Sequence, residues 1–364
     1  MDNKNICFFA HTGLKKAGGA ERVLALIANK LSNIGYNVFI LTINSEEDSF
    51  YPLSSDVVRL SIFNISSSDK SLLKKIVKLS QGIRKEIENN NIGLIIPLGT
   101  ESSIYVFFAL FLKRSVKKIS WIHYSFFKPL NLREKIFRKF ILPSFDKIII
   151  LNKTDQLKFS ALYPDKVIHI PNPIPFKSSK VSLLNNKNII ALGRLDKIKG
   201  FDILIKTFKI IVKNKKLENW KLNIFGDDNG EKKYLEDLII KNNLTGNVYI
   251  NEAKKDIEPE YLKSDIYVMT SVSECFPMVL LESQEYGLPI VSFDCHSGPR
   301  DIIINNVNGF LVEVGNIQKL ADVMIKLMDD DSLRNKMGFE AKKNTEKFQI
   351  DEIIKKWKTL FDEI

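Results

Sequence analysis

No run of apolar residues in this chain approaches the roughly 20 that a membrane-spanning helix needs. The longest candidate, Ser103 to Leu112, is bounded by Lys113 and Arg114. The opening MDNKNICFFA lacks the basic stretch and apolar core of a secretory signal, so a mature cytosolic protein is expected. Cysteine is scarce. Cys7, Cys275 and Cys295 leave one thiol over under any disulfide scheme and lack metal-ligand spacing, which fits a reducing compartment. Twelve prolines and seventeen glycines are too few for a collagen-like or disordered chain. The first glycine loop, His11-Thr12-Gly13-Leu14-Lys15-Lys16-Ala17-Gly18-Gly19, lacks G-x-G-x-x-G spacing, which disfavours NAD. No Ser or Cys stands at recognisable spacing from His11 or His123, so a hydrolase triad has no support. Nor is there a nucleic-acid module signature.

What is present is 364 residues that are 45% apolar and 27% charged, enough for two ordinary domains. The net charge of +11 is unevenly spread: residues 1–175 hold 25 Lys and Arg against 14 Asp and Glu, and the remainder balances. Such a field suits a phosphate-bearing partner or an anionic membrane face, although a Lys- and Asn-rich codon bias produces the same excess.

Strand and helix patterns alternate in both halves, as in doubly wound α/β domains. In the first half, strands are expected at Asn5–Ala10, Asn37–Ile43, Gly93–Pro97, Lys118–Ile122 and Lys147–Leu151, with a helix from Ala20 to Gly35. The second half restarts at Asn188–Leu192 and continues through Lys221–Phe225, Val248–Ile250, Ile266–Thr270 and Pro289–Phe293. Between them, three prolines in Ile170–Phe176 set an extended link. The expected domains are 1–172 and 173–348, followed by an amphipathic helix over 349–364.

Three segments carry candidate chemistry. In Ser273–Glu285, SECFPMVLLESQE, Pro277 suits a helix's first turn. That leaves the N–H groups of Met278 and Val279 free for a phosphate, Glu274 in the loop before and Glu282 in the second turn, in reach of a ribose diol. In GRLDKIKGFD (Gly193–Asp202), Arg194 and Lys199 are placed to neutralise a diphosphate. Gly18 and Gly19 open the first long helix and let backbone approach a ligand. His123 follows an apolar strand, where such folds put ligands, and His11 does so more weakly. Solvated glutamates, surface cations and a structural histidine are the plainer readings of each. Asp227-Asp228 and Asp329-Asp330-Asp331 read as turns rather than metal ligands. On a helix from Asp69 to Asn89, Lys70, Lys74, Lys78 and Lys85 line one side, a solvated face or a rest for anionic headgroups. The stretch His123–Phe140 interleaves Phe126, Phe127 and Phe140 with Lys128, Arg133, Lys135, Arg138 and Lys139.

Taken in order, GGAER, the strand-end His123, GRLDKIKGFD and the Glu274/Glu282 pair resemble retaining glycosyltransferase family 4 over nearly the whole chain. Ser292–Val312, SFDCHSGPRDIIINNVNGFLV, resembles bacterial galactosyl- and N-acetylhexosaminyl-transferases of lipopolysaccharide core and O-antigen synthesis. The resemblance implies the GT-B fold, two Rossmann-like domains facing across a cleft, with the terminal helix returning to the first. It implies a UDP-sugar donor, a lipid-linked or lipopolysaccharide acceptor, the cytoplasmic membrane face, and neither metal nor other cofactor nor nucleic acid. It places Glu282 on the ribose, and Arg194, Lys199 and the backbone of Phe276, Pro277, Met278 and Val279 on the diphosphate. Glu274 and His123 fall on the sugar, backbone near Asn251 and Glu252 on the base, and Gly19 on phosphate or acceptor. The chain has Gly226-Asp227-Asp228 where the family often has a G-D-G turn, and Cys275 where it commonly has glycine. A same-fold enzyme with a soluble acceptor, an epimerase, and a non-enzymatic membrane or nucleic-acid binder are the alternatives.

Overall fold

The computed structural model describes residues 4–15, 18–44, 49–63, 72–111, 113 and 115–364. Asp69 and Lys70 of the expected basic helix, Leu112, Arg114, and Lys16 and Ala17 of the first glycine loop lie outside the described residues. The chain divides into two units, Met1–Pro175 with Ile350–Ile364, and Phe176–Gln349. The break falls at residue 175, inside the proline link, against residue 172 in the sequence reading.

The first unit is a seven-stranded sheet. Its elements are β1 (Asn5–Ala10), α1 (Gly19–Asn33), β2 (Asn37–Ile43), β3 (Val58–Ile62), α2 (Leu72–Asn89), β4 (Leu94–Pro97), α3 (Gly99–Leu110), β5 (Lys117–Trp121), α4 (Leu132–Ile136), β6 (Lys147–Ile150), α5 (Lys153–Ser160) and β7 (Val167–His169). The strand order is β3-β2-β1-β4-β5-β6-β7, every pairing parallel. Parallel strands covered on both faces tend to be near-continuous apolar runs. Accordingly β4 is LIIP and fully buried, and β6 is KIII with only Lys147 partly exposed. Helix α1 turns Val23, Leu24, Ile27, Ala28 and Leu31 inward at helical spacing. A C-terminal helix, Ile350–Asp362, closes this unit: Trp357 is fully buried, 6.0 Å from Phe8 and 5.0 Å from Trp121 between ring centroids.

The second unit repeats the plan with six strands. It runs β8 (Asn188–Leu192), α6 (Phe201–Ile211), β9 (Lys221–Phe225), α7 (Lys232–Lys241), β10 (Val248–Asn251), α8 (Glu258–Leu262), β11 (Ile266–Met269), α9 (Met278–Glu285), β12 (Ile290–Phe293), α10 (Pro299–Ile302), β13 (Gly309–Val312), α11 (Ile317–Asp329) and α12 (Asp331–Asn344). The strand order β10-β9-β8-β11-β12-β13 is again all parallel. In each sheet the order reverses once, between β1 and β4 and between β8 and β11. Outside the carboxyl ends of strands at such a reversal, loops diverge and leave room for a ligand.

The turn readings hold. Asp330 ends α11 and caps α12 by accepting the Leu333 N–H at 2.8 Å. Asp228 accepts three backbone N–H groups, from Gly230, Glu231 and Lys232, at the entrance to α7. Pro277 differs by one position. It is the extended N-cap residue of α9, and the helix begins at Met278. No helix among the described residues is long and apolar enough to cross a membrane.

Candidate active site

In the second unit the reversal brings two of the candidate segments together. The loop after β8 carries Lys199 and the loop after β11 carries Glu274, and Lys199 Nζ lies 2.7 Å from Glu274 Oε1. Both side chains are largely covered, so their geometry is held by the loops rather than by solvent chance. Asp196 caps the short turn Lys197–Lys199 by accepting the Lys199 N–H at 3.2 Å. Gly200 then takes φ +63°, where a Cβ would stand 2.4 Å from the Thr270 carbonyl oxygen. Only glycine fits there, and the Thr270 hydroxyl donates to the Lys199 carbonyl at 3.0 Å. The two loops are thus stitched at backbone level beside the ion pair. Arg194 is more exposed and leans on Asp196, Nη2 to Oδ2 3.3 Å.

Just beyond Glu274, α9 starts at Met278 with no side-chain cap, so its first N–H groups have no capping acceptor. Three contacts fix the preceding loop. Ser297 Oγ donates to the Glu274 carbonyl at 3.0 Å, and Gly298 at φ +97° lies where a Cβ would meet the Cys275 carbonyl at 2.8 Å. Phe276 packs edge-on to Phe348, centroids 5.9 Å apart, and so serves the core. Glu282 is buried in the second turn of α9 and accepts from Tyr261 Oη at 3.4 Å. Tyr261 stacks on Tyr286, 5.1 Å and 20° apart. Neither the lysine–glutamate pairing nor Tyr261 stands out in sequence; the partners are 75 and 21 residues apart. The neighbouring glutamate, Glu285, belongs to the scaffold. It is fully buried, with Lys342 Nζ at 2.5 Å and the Thr345 hydroxyl at 2.7 Å. Asn251 ends β10, its carbonyl accepting the Gly226 N–H at 3.0 Å, and Glu252 beside it is exposed.

The first unit has its own cluster at the corresponding reversal. His11, after β1, sets Nε2 2.7 Å from Glu101 Oε2 and Nδ1 2.9 Å from Ser102 Oγ, while Arg133 Nη1 holds Glu101 Oε1 at 2.7 Å. Burial lowers the His11 pKa against the opposing pull of Glu101. The Glu101 carboxylate can only accept, so the ring donates to it through Nε2–H. Gly18 is the extended N-cap residue of α1 and Gly19 its first residue. His123 follows β5 against the Trp121 ring, centroids 4.6 Å apart, its Nε2 buried without a protein partner. Burial pushes its pKa down to about 3.

His169 is likewise lowered to about 4, by burial first and then by Lys356. These three histidines all lie in the first unit, and the sign of their effect follows. Unfolded histidine takes up a proton near pH 6.5, while the folded His123 and His169 rings stay neutral well below that and His11 is shifted in the same direction. Stability is fully present above pH 6.5 and declines as the pH falls. Each such histidine contributes a slope of up to about 1.4 kcal/mol per pH unit. Denaturant unfolding between pH 7 and 5 is expected to show the first unit weakening, and His123→Gln is expected to flatten the slope by one proton. An unchanged slope would remove His123 from the account.

Comparison with known proteins sets this geometry beside glycosyltransferases. Residues 175–344 match the family model described as glycosyl transferases group 1. An uncharacterized glycosyltransferase of Haemophilus influenzae is 29% identical over 98% of this chain and 99% of its own. The amylovoran biosynthesis glycosyltransferase AmsD of Erwinia amylovora is 26% identical, covering 96% and 97%. A Campylobacter jejuni α-1,4-N-acetyl-D-galactosaminyltransferase, named for an undecaprenol-diphosphate-linked glycan, is 26% identical, covering 96% of each chain. Among solved structures, TarM superposes with a TM-score of 0.84 at 16% identity, covering 98% of both chains, and a Staphylococcus aureus TarM mutant was solved with UDP. Residues 175–344 thus match the glycosyl transferases group 1 model, in a chain that is similar over nearly its whole length to glycosyltransferases and has the GT-B fold of two parallel-sheet α/β domains.

Proposed function

We propose that this glycosyltransferase moves a hexose or N-acetylhexosamine from a UDP-sugar, with retention, to a lipid-linked or lipopolysaccharide saccharide in bacterial surface-polysaccharide synthesis, at the inner face of the cytoplasmic membrane. The observation that carries the reading is the Lys199–Glu274 pair, fixed at the strand-order reversal beside the uncapped start of α9. Breaking the anomeric C–O bond leaves negative charge on the diphosphate. In this reading Lys199, Arg194 and the N–H groups of Met278 and Val279 stabilise that charge without a metal, in positions set before reaction begins. Glu274 holds Lys199 in place and faces the sugar, and Glu282 takes the ribose hydroxyls. Asn251 and Glu252 offer backbone to the base. Gly18 and Gly19 admit phosphate or acceptor closely, and His123, neutral throughout, serves a sugar hydroxyl as a hydrogen-bonding group rather than as an acid. Retention is assigned to attack on the face the leaving group departs from, its phosphate oxygen taking the acceptor proton, so no side-chain nucleophile is named.

Support for UDP comes from the TarM complex, and support for a polysaccharide or lipid-linked acceptor from the AmsD and C. jejuni relatives. The test is thermal unfolding with UDP, GDP, ADP and NAD in parallel. A ligand at about 100 times its dissociation constant stabilises by roughly 2.7 kcal/mol. UDP alone is expected to raise the melting temperature; a shift with another nucleotide instead, or with none, counts against the donor assignment.

A further inference from the structure

The first unit carries an apolar stripe that none of the chemistry above uses. Leu132 is 75% exposed, Ile136 45% and Phe140 63%, at intervals of four residues along α4 and the turn that follows. That turn, Phe137–Ile141, is a π-helix. In a continuous α-helix, residues four apart drift around the axis by about 40° per step. The wider π turn advances each residue by less, so Phe140 falls back toward the line of Leu132 and Ile136. Phe137 and Ile141 meanwhile stay buried and anchor the segment. Beside the stripe lies a cavity of about 440 Å³, lined by Leu130, Pro143 and the half-exposed Leu162 together with Lys135 and Lys139.

Charge says what covers it. Residues 126–140 hold five Lys and Arg against one acidic residue, Glu134. Lys135 and Lys139 are exposed on the same segment, and Lys139 Nζ sits 5.2 Å over the ring of Phe140, itself a protruding apolar group. Helix α2, the other basic helix, lacks this combination. Its exposed face carries Val77 as a single large apolar side chain among the described residues. Apolar side chains flanked by cations match a bilayer interface, where the former enter the acyl boundary and the latter meet anionic headgroups.

We propose that the Leu132–Ile136–Phe140 stripe, with Lys135 and Lys139, is the surface by which this protein docks on an anionic lipid bilayer. It deepens the reading that the acceptor is lipid-linked, and rests on it for its purpose: docking would hold the enzyme where such an acceptor is anchored. The test is co-sedimentation with vesicles of phosphatidylcholine alone and of phosphatidylcholine mixed with phosphatidylglycerol, at low and high salt. Three proteins are compared with wild type: Leu132→Ser/Ile136→Ser/Phe140→Ser, Lys135→Glu/Lys139→Glu, and the conservative Lys135→Arg/Lys139→Arg. Wild type and the arginine variant are expected to bind only the anionic vesicles, less so at high salt, and the other two to bind at least about tenfold more weakly. UDP stabilisation, read on the same samples, is expected to be equal in all four. Equal sedimentation of the serine or glutamate variant with wild type overturns the proposal. So does a wild type that dimerises through the stripe and ignores vesicles. A wild type that docks through the stripe yet ignores UDP supports this surface and sinks the donor reading instead.

Discussion

Lys199→Ala is expected to lower turnover of the nucleotide-sugar by about a hundred- to a thousandfold, the range for removing a fixed group that stabilises charge in the transition state. The lysine stands at the strand-order reversal, held by Glu274 at 2.7 Å and by the capped turn from Asp196. Its removal leaves Glu274 partly enclosed and without that cation, so some lost stability is expected as well. Lys199→Ala/Glu274→Gln separates the two effects. The double variant is expected to regain the melting temperature but not the rate, because a neutral amide needs no counter-charge while the leaving diphosphate still does. Single-turnover rates with saturating donor, beside melting curves for both variants, decide this. Full turnover in Lys199→Ala would withdraw the lysine from the leaving-group site.

The second large effect is expected in binding rather than rate. Glu282→Gln keeps the volume of a buried side chain and the contact with Tyr261, but weakens acceptance of hydrogen bonds from a ribose. Hydrogen bonds to a charged group contribute about 1.5–3 kcal/mol, so UDP affinity is expected to fall between about tenfold and a hundredfold. Losing an interaction that is present equally in ground and transition states raises KM and leaves kcat alone. Tyr261→Phe, which takes away one neutral donor, is expected to show the same pattern with a smaller loss. Calorimetric titration of UDP and steady-state kinetics give the two numbers. A fall in kcat equal to the fall in affinity would move Glu282 from the ribose to the chemistry.

How much of this was legible depended on burial. Interior strands such as β6, KIII, announce themselves because both faces are covered and few polar residues are tolerated. The strands without a signal are β3, β7 and β13, and all three lie at sheet edges. β3, VRLSI, has Val58 and Arg59 exposed, and β7 is only VIH. An edge strand has one neighbour and can be short and polar, so its pattern fades into loop. In the site, single residues were legible because loops after strands and the start of a helix have known chemistry. Pairings were not. Lys199 meets Glu274 and His11 meets Glu101 only because each sheet lays its fourth strand beside its first. That adjacency is a property of the whole sheet, invisible in any local window. The extended N-cap conformation of Pro277, one residue outside the expected helix, is the ordinary uncertainty of a helix start.

The C-terminal helix makes the first unit discontinuous in sequence while the second is one unbroken insert. On a ribosome this inverts the expected order of maturation. The sheet of residues 5–169 emerges first, but its face around Phe8 and Trp121 stays uncovered until Trp357 arrives. By then every residue of the second unit has been synthesised. The unit whose sheet is made first is therefore the one that finishes folding last, and the second unit can be complete before it.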